Sequence, residues 1–458
     1  MRVAGLYVLL LFGGYANAQF SEQQIISTDA AFARSVYAVD LDGDGDIDVL
    51  SASEHDDKIA WYENDGLGNF GIQNVITQDL SRAVDVYSVD LDGDGDFDVL
   101  AAAKGISQFE SKVVWFRNLD GQGNFSNEII ISEEIQGAIS VFAVDLDGDL
   151  DLDVLTASFT DNKVAWYEND GLGNFGAQQI ITATAYSTRE VFAADLDGDN
   201  DMDVLSVSPG TDKVIWFENE DGLGNFSDEI IIASNANAVG YVFAADLDGD
   251  NDLDVLSARS FENTVAWYEN FDGLGNFGSE QIITQNLISA TGVFVSDLDN
   301  DGDNDVLSGS ANDDKVVWYE NLNGLGNFGS EQIISTQTDW ARSVYTADLD
   351  GDGDMDVLSA SSVDNKIAWY ENLTLMGVND FSFKSITLHP NPVNDIVHIE
   401  NNSSIEITSL SIYSLLGELL LSKQEDFNQI DISSLTSGVY FLKVVSERGE
   451  VTKKFIKD

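Results

Sequence analysis

Cysteine is absent from this chain of 458 residues, which excludes a disulfide framework, a thiolate metal site and a cysteine nucleophile. Histidine is nearly absent. Of the three, His389 and His398 lie near the C-terminus, so a histidine-based triad in the body of the chain would rest on His55 alone. Lysine and arginine number 21 against 81 aspartates and glutamates, a formal charge of −60. That balance excludes nucleic-acid backbones and anionic membranes as partners. No apolar run reaches the ~20 residues that a membrane-spanning helix needs. The run Val3–Phe12 follows Arg2 and precedes Ala16-Asn17-Ala18. This fits an export signal over residues 1–18, cleaved before Gln19, and the mature protein is expected to have no membrane span.

What is present is repetitive. The stretch VDLDGDGDIDVLSAS, Val39–Ser53, carries five aspartates at alternate positions and returns six more times. The first aspartates of the copies are spaced 50, 55, 50, 51, 51 and 51 residues apart. A fixed period of this size indicates a solenoid, a propeller or an array. Each unit reads as RSVYAV, the acidic turn, DVLSAS, KIAWYEN, a DGLGNF turn and NVIT. These short runs of Val, Ile, Tyr, Phe and Trp between Gly, Asp and Asn turns predict four strands, with no helical period.

The ends decide between a ring and an open array. The last unit stops at Trp369-Tyr370-Glu371-Asn372 without its final strand, and QFSEQQIIST, Gln19–Thr28, supplies one at the other end. A ring gains closure from such an offset and loses its exposed edges, whereas an open array gains nothing. The expected fold is all-β: a seven-bladed propeller over 19–372, a linker over 373–383 and a small β-sandwich over 384–458.

Each acidic stretch has the form D-x-D-x-D-x-D-x-D. The copies are Asp40, Asp42, Asp44, Asp46 and Asp48; Asp90, Asp92, Asp94, Asp96 and Asp98; Asp145, Asp147, Asp149, Asp151 and Asp153; Asp195, Asp197, Asp199, Asp201 and Asp203. They continue with Asp246, Asp248, Asp250, Asp252 and Asp254; Asp297, Asp299, Asp301, Asp303 and Asp305; and Asp348, Asp350, Asp352, Asp354 and Asp356. Calcium takes six to eight oxygen ligands and accepts mixed carboxylate, carbonyl and water coordination, whereas magnesium keeps its waters. Side chains at positions 1, 3, 5 and 9 with the carbonyl of position 7 suit calcium, at up to one ion per blade. The alternative is an acidic surface turn without metal, but four close carboxylates lacking a cation would shift one another's pKa strongly. Position 6 is glycine in four copies, Asn200 and Asn251 in two, and Leu150 in the third copy, which makes that site the least certain. No copy has a glutamate at position 12, so none is a full EF-hand.

DLDGDGDIDVLSAS followed by a strand and DGLGNF resembles the FG-GAP-like or VCBS repeat, which includes the calcium-binding blades of integrin α-subunits. The resemblance covers Gln19 to about Asn372 and implies a calcium-binding propeller with these aspartates as ligands. LHPNPVNDIVHI from Leu388, LTSGVYFLKV and the closing KKFIKD resemble the type A sorting domain of the bacterial type IX secretion system. That implies a Bacteroidota-type cell and export by Sec and then the type IX machinery. The product would be secreted or attached to the outer-membrane surface, with the sorting domain removed on export.

Trp61, Trp115, Trp166, Trp216, Trp267, Trp318 and Trp369 recur at one position in every blade. Residues needed identically in all blades point to packing between blades rather than to sugar stacking. The loops opposite the acidic turns vary freely. There Arg34, Arg189 and Arg342 share one register, and with Tyr186, Tyr241, Phe261 and Trp340 they are the candidate contacts for a glycan or an extracellular protein. The competing reading pairs these arginines with local acids. Apart from Asp56-Asp57 and Asp313-Asp314, the close pairs of aspartates along the sequence belong to acidic turns, so no enzyme is expected. The leading reading is a monomeric binding or adhesion module; the alternatives are a polysaccharide-degrading enzyme on the same disc and a purely structural surface protein.

Overall fold

The computed structural model describes residues 19–107, 109–374, 386–389, 393, 395–401, 407–414, 419–424, 427–436, 438–446 and 449–457. The export signal over 1–18 and most of the linker lie outside the described residues. The chain divides into two compact units between Thr374 and Leu375.

The first unit consists of seven four-stranded antiparallel sheets. In blade 1 the strands, lettered a to d from the centre outward, are Ala33–Val39, Asp48–Ser53, Lys58–Tyr62 and Asn74–Thr77. The acidic turn joins a to b, and DGLGNF joins c to d. Blade 7 is composite. Its strands Ala341–Ala347, Asp356–Ser361 and Lys366–Tyr370 are completed by Gln24–Ser27, with Gln24 paired to Trp369. Phe20 adds a bridge to Asn372, so the two ends of the unit are stitched together.

Every residue of Asp48–Ser53 and of Lys58–Tyr62 is buried. Strands b and c therefore read as continuous runs rather than alternating ones, because a blade is covered by a neighbour on each face. The core is a set of inter-blade layers. Leu50, Ala52, Ile59 and Trp61 of blade 1 pack on Ala83, Val86, Val99 and Ala101 of blade 2. The layer that closes the circle sets Leu358, Ala360, Ile367 and Trp369 against Ala33, Val36, Val49 and Tyr62.

The seven tryptophans are buried in these layers. The ring of Trp61 fills the space where a side chain on Gly123 of the next blade would stand. Trp115 meets Gly173 in the same way, and Trp369 meets Gly68. Their repetition serves packing.

The second unit has two sheets. One contains Ile386–His389, Ile396–Asn401 and Gln429–Asp431; the other contains Leu419–Lys423, Ile407–Ser414, Gly438–Ser446 and Gly449–Lys457. They share one core that includes Val397, Ile399, Leu410, Ile412, Leu442 and Phe455.

Candidate functional site

The acidic turns are knit by their own carboxylates. Asp40 accepts hydrogen bonds from the amides of Gly43 (2.8 Å) and Gly45 (3.0 Å), and Asp44 accepts from Asp46 (2.9 Å). The fully buried Asp48 accepts from Leu41 (3.0 Å) and Asn64 (2.8 Å). Oxygens of Asp40, Asp42 and Asp48 lie within 4.8 Å of one another, and the second to fifth turns form like groups. Burial, with neighbouring aspartates adding to it, pushes Asp48, Asp98, Asp153, Asp203, Asp254 and Asp305 up to about 7 and Asp356 to about 8. Asp46 is placed differently from a carboxylate left in solvent: it packs over Gly66 of the DGLGNF turn, where a side chain would overlap it. Asp354, in the blade that has no such turn of its own, instead accepts from Asn300 of blade 6 (2.5 Å).

The turns also hold the ring together. The amide of Asn118 donates to the carbonyl of Leu41 in the preceding blade (2.8 Å). Asn169, Asn219, Asn270, Asn321 and Asn372 repeat the bond, and Asn64 completes the circle on Leu349 (2.7 Å). The asparagine ending each W-[YF]-x-N was legible as a repeat, but its inter-blade role was not.

Two turns depart from the others. Leu150 adopts φ 77° and keeps the backbone course that Asn200 and Asn251 follow at 74° and 72°. Asp145, Asp147 and Asp153 still converge there. The deviant electrostatics belong to the second turn. In six blades a glutamate before the asparagine adds negative charge beside position 3, as Glu63 does at Asp42 and Glu168 at Asp147. In blade 2 that residue is Arg117. Its guanidinium contacts Asp92 (2.7 Å) and Asp94 (2.8 Å) and holds the Asp94 carboxyl below its usual range.

The opposite ends of the strands surround a central cavity of about 410 Å³. Seven aromatic rings close around it: Tyr37, Tyr87, Phe142, Phe192, Phe243, Phe294 and Tyr345, with neighbouring centroids 4.7–5.1 Å apart. The sequence shows this ring only as an aromatic three residues before the first aspartate of each acidic turn.

Two residues earlier, at the next inward-facing position, stand Ser35, Asp85, Ser140, Glu190, Tyr241, Gly292 and Ser343. Asp85 accepts from Ser35 (2.8 Å) and from the amide of Val141 (3.0 Å), which joins blades 1, 2 and 3. Burial pushes Asp85 up to about 6. Burial first and the Asp85 charge second raise Glu190 well above the usual carboxyl range. This pair belongs to no acidic turn. Residues 105 apart in the chain meet because strands a of different blades face one axis.

Arg34 and Arg189 line the mouth of the cavity together with Tyr241. Arg34 and Arg342 sit at bulges, where strand a slips register against strand b, a device that re-aims side chains. Arg342 stacks over Trp340 (4.7 Å) and beside Phe32 (5.8 Å), which in turn stacks on His55. The structure thus brings together Arg34, Arg189, Arg342, Tyr241 and Trp340. Tyr186 lies elsewhere, in a groove of blade 4 with Thr211 and Lys213, and Phe261 stands exposed on a loop of blade 5. Phe32, Arg82, Lys104 and Phe159 at the mouth were not singled out from sequence, because only neighbouring blades place them there.

Six windows, residues 40–101, 102–156, 145–206, 195–257, 246–308 and 297–359, match the FG-GAP-like repeat. The chain belongs to the FG-GAP-like repeat family. Together the six windows span residues 40–359 and take in all seven acidic turns. Residues 387–458 match the secretion system C-terminal sorting domain. The protein is accordingly a type IX secretion substrate, secreted or surface-attached. Among the described residues no helix is long and apolar enough to cross a membrane.

β-Agarase D of Zobellia galactanivorans is 30% identical over 73 residues, which are 16% of this chain and 15% of the agarase. Solved structures share the FG-GAP-like chain's fold. A lectin of Agrocybe aegerita specific for non-reducing terminal N-acetylglucosamine is 20% identical (67% of this chain, 81% of the lectin, TM-score 0.50). BBS1N, solved in complex with ARL6DN, is 12% identical (78% of this chain, 97% of that chain, TM-score 0.54).

Proposed function

We propose that this protein is an extracellular binding module that takes a glycan or protein ligand at the cavity mouth, with calcium stapling its blades on the opposite face. The observation that carries the reading is the convergence of Arg34, Arg189, Arg342, Tyr241 and Trp340 on one opening. An array of glycans and matrix proteins, probed with the calcium-loaded chain and again in chelator, tests it. Absence of any binding would overturn it.

Calcium fits the donor set of the turns. The donors are oxygens throughout, and buried oxygens of Asp147, Asp197 and Asp248 lack hydrogen-bond partners. In six blades the aspartates at positions 1, 3, 5 and 9 would hold the ion. In the second, Arg117 supplies the positive charge. The ion would neutralise the turn and fix the a–b connection, and the asparagine bond then passes that rigidity to the next blade.

One observation favours a second reading, a glycan-active enzyme. Burial and the Asp85 charge raise Glu190 well above the usual carboxyl range, and burial pushes Asp85 up to about 6 in the same cavity, the kind of split that a general acid and a carboxylate partner require. Reducing-sugar release that Glu190→Gln abolishes would establish this reading over binding alone.

A further inference from the structure

We propose that the cavity mouth recognises an acidic sugar residue, one bearing a carboxylate or sulfate, at the end of a polysaccharide chain. The inference rests on the binding reading above and narrows it to one ligand chemistry.

Charge matching over the whole unit carries the argument. Residues 19–374 contain thirteen lysines and arginines. Six lysines and Arg259, around the b–c connections, each form an ion pair with a carboxylate. Arg117 lies on its acidic turn. The remaining five are Arg34, Arg82, Lys104, Arg189 and Arg342, and all belong to the mouth. Arg34 and Arg82 share one carboxylate, Glu54, at 3.7 Å each. Among the described residues no carboxylate lies within the 4.0 Å ion-pairing distance of Lys104, Arg189 or Arg342. A chain this acidic could have matched every cation, as it does elsewhere. These five cations share one ion-paired carboxylate, Glu54, with only the buried Asp85 and Glu190 deeper in the cavity, and they repel one another until an anion arrives. Burial, together with the charges of Arg34, Arg82 and Arg189, already pushes the Lys104 ammonium down.

The geometry suits a sugar acid. Arg342 lies over Trp340, while Arg189 and Lys104 flank Phe159 at 5.6 and 5.7 Å. A stacked guanidinium is held flat and still offers its N–H edge to a carboxylate or sulfate. Trp340 and Phe32 hold left-handed backbone conformations (φ 63° and 59°), as the residue at this register does in every blade, so the turn into strand a presents both rings in the same way. Below the mouth Ser35, Ser343 and Tyr241 line the cavity and provide hydroxyls for sugar hydroxyls. A cavity of about 410 Å³ admits a chain end and no protein domain. The surrounding loops carry Asp29, Asp79, Glu133, Glu134 and Asp339, so a broad acidic protein surface would be repelled at the rim.

The test titrates the calcium-loaded full chain with uronic-acid, sulfated and neutral oligosaccharides of equal length by calorimetry. The expected result is binding of the acidic sugars, weakened by salt, with no binding of the neutral ones. Arg189→Gln and Lys104→Gln should each reduce affinity about tenfold, while Lys315→Gln, whose partners are Glu331 and Asp313, should not. The uronic-acid and sulfated arms separate the two sources of charge. Equal, salt-independent binding of neutral sugars overturns the acidic ligand and leaves the binding reading standing. Binding of a matrix protein without any sugar does the same. No binding in any arm overturns both.

Discussion

The two faces of the propeller are built from the same seven units and have opposite characters. On one face the acidic turns and the DGLGNF turns repeat almost residue for residue, and their hydrogen bonds stay within their own or the adjacent blade. On the other, blades 1, 2, 4 and 7 contribute Arg34, Arg82, Lys104, Arg189 and Arg342, and no equivalent cations come from the remaining blades. Symmetry serves cohesion, because each blade faces the same neighbour. Its loss serves recognition, because a ligand is not seven-fold symmetric. The second acidic turn is the exception that clarifies the rule, since Arg117 does there what a bound ion would do elsewhere.

The largest expected effect attacks the symmetric face as a whole. Calcium that binds only the folded chain stabilises it by about 4 kcal/mol per site at a thousandfold excess over Kd. Chelation should therefore lower the melting temperature by more than about 10 °C in calorimetry. An unchanged melting curve would remove calcium from the account. Next comes Gly123→Ala, which places a methyl group into the Trp61 ring at φ 70°. It should cost about 2–4 kcal/mol in denaturant unfolding, while Gly240→Ala, with open space around it, should cost far less.

Arg117→Glu sharpens the contrast between turns. It restores the glutamate of the other six blades, and a calcium titration should rise from six ions to seven. A count of seven in the parent chain would show that Arg117 gives way to the ion.

The cavity side has its own signature. Asp85, raised by burial to about 6 from an ordinary 3.8, adds stability below about pH 4 that is lost as pH rises through 6. Asp85→Asn should flatten that slope in pH-dependent melting of the calcium-loaded chain. The smallest effect is local: Leu150→Gly relieves a left-handed leucine and should stabilise by about 1 kcal/mol.

Much of the symmetric face was legible in the primary sequence. The aspartates, the turn glycines and the tryptophans recur at one period, and a period of about 50 with four β-runs leaves few architectures. The arginines were legible as candidates because three share a register. Their setting was not. Arg342 on Phe32, Lys104 and Arg189 on Phe159, and Arg82 on Glu54 are contacts between blades that no local pattern encodes. Tyr186 and Phe261 looked equivalent to Trp340 as aromatics on variable loops, yet Tyr186 lines a separate groove and Phe261 stands exposed on its own loop.

The sequence alone determined the blade, the number of blades, the offset strand that closes them and the export tail, because each is written locally and repeated or carried by its own motif. Only the tertiary structure decided which unlike residues meet. The axis gathers one position from every blade, so Asp85 and Glu190 become partners and five scattered cations become one site. Closure of the ring converts a one-dimensional repeat into a shared centre, and that centre exists in no single unit.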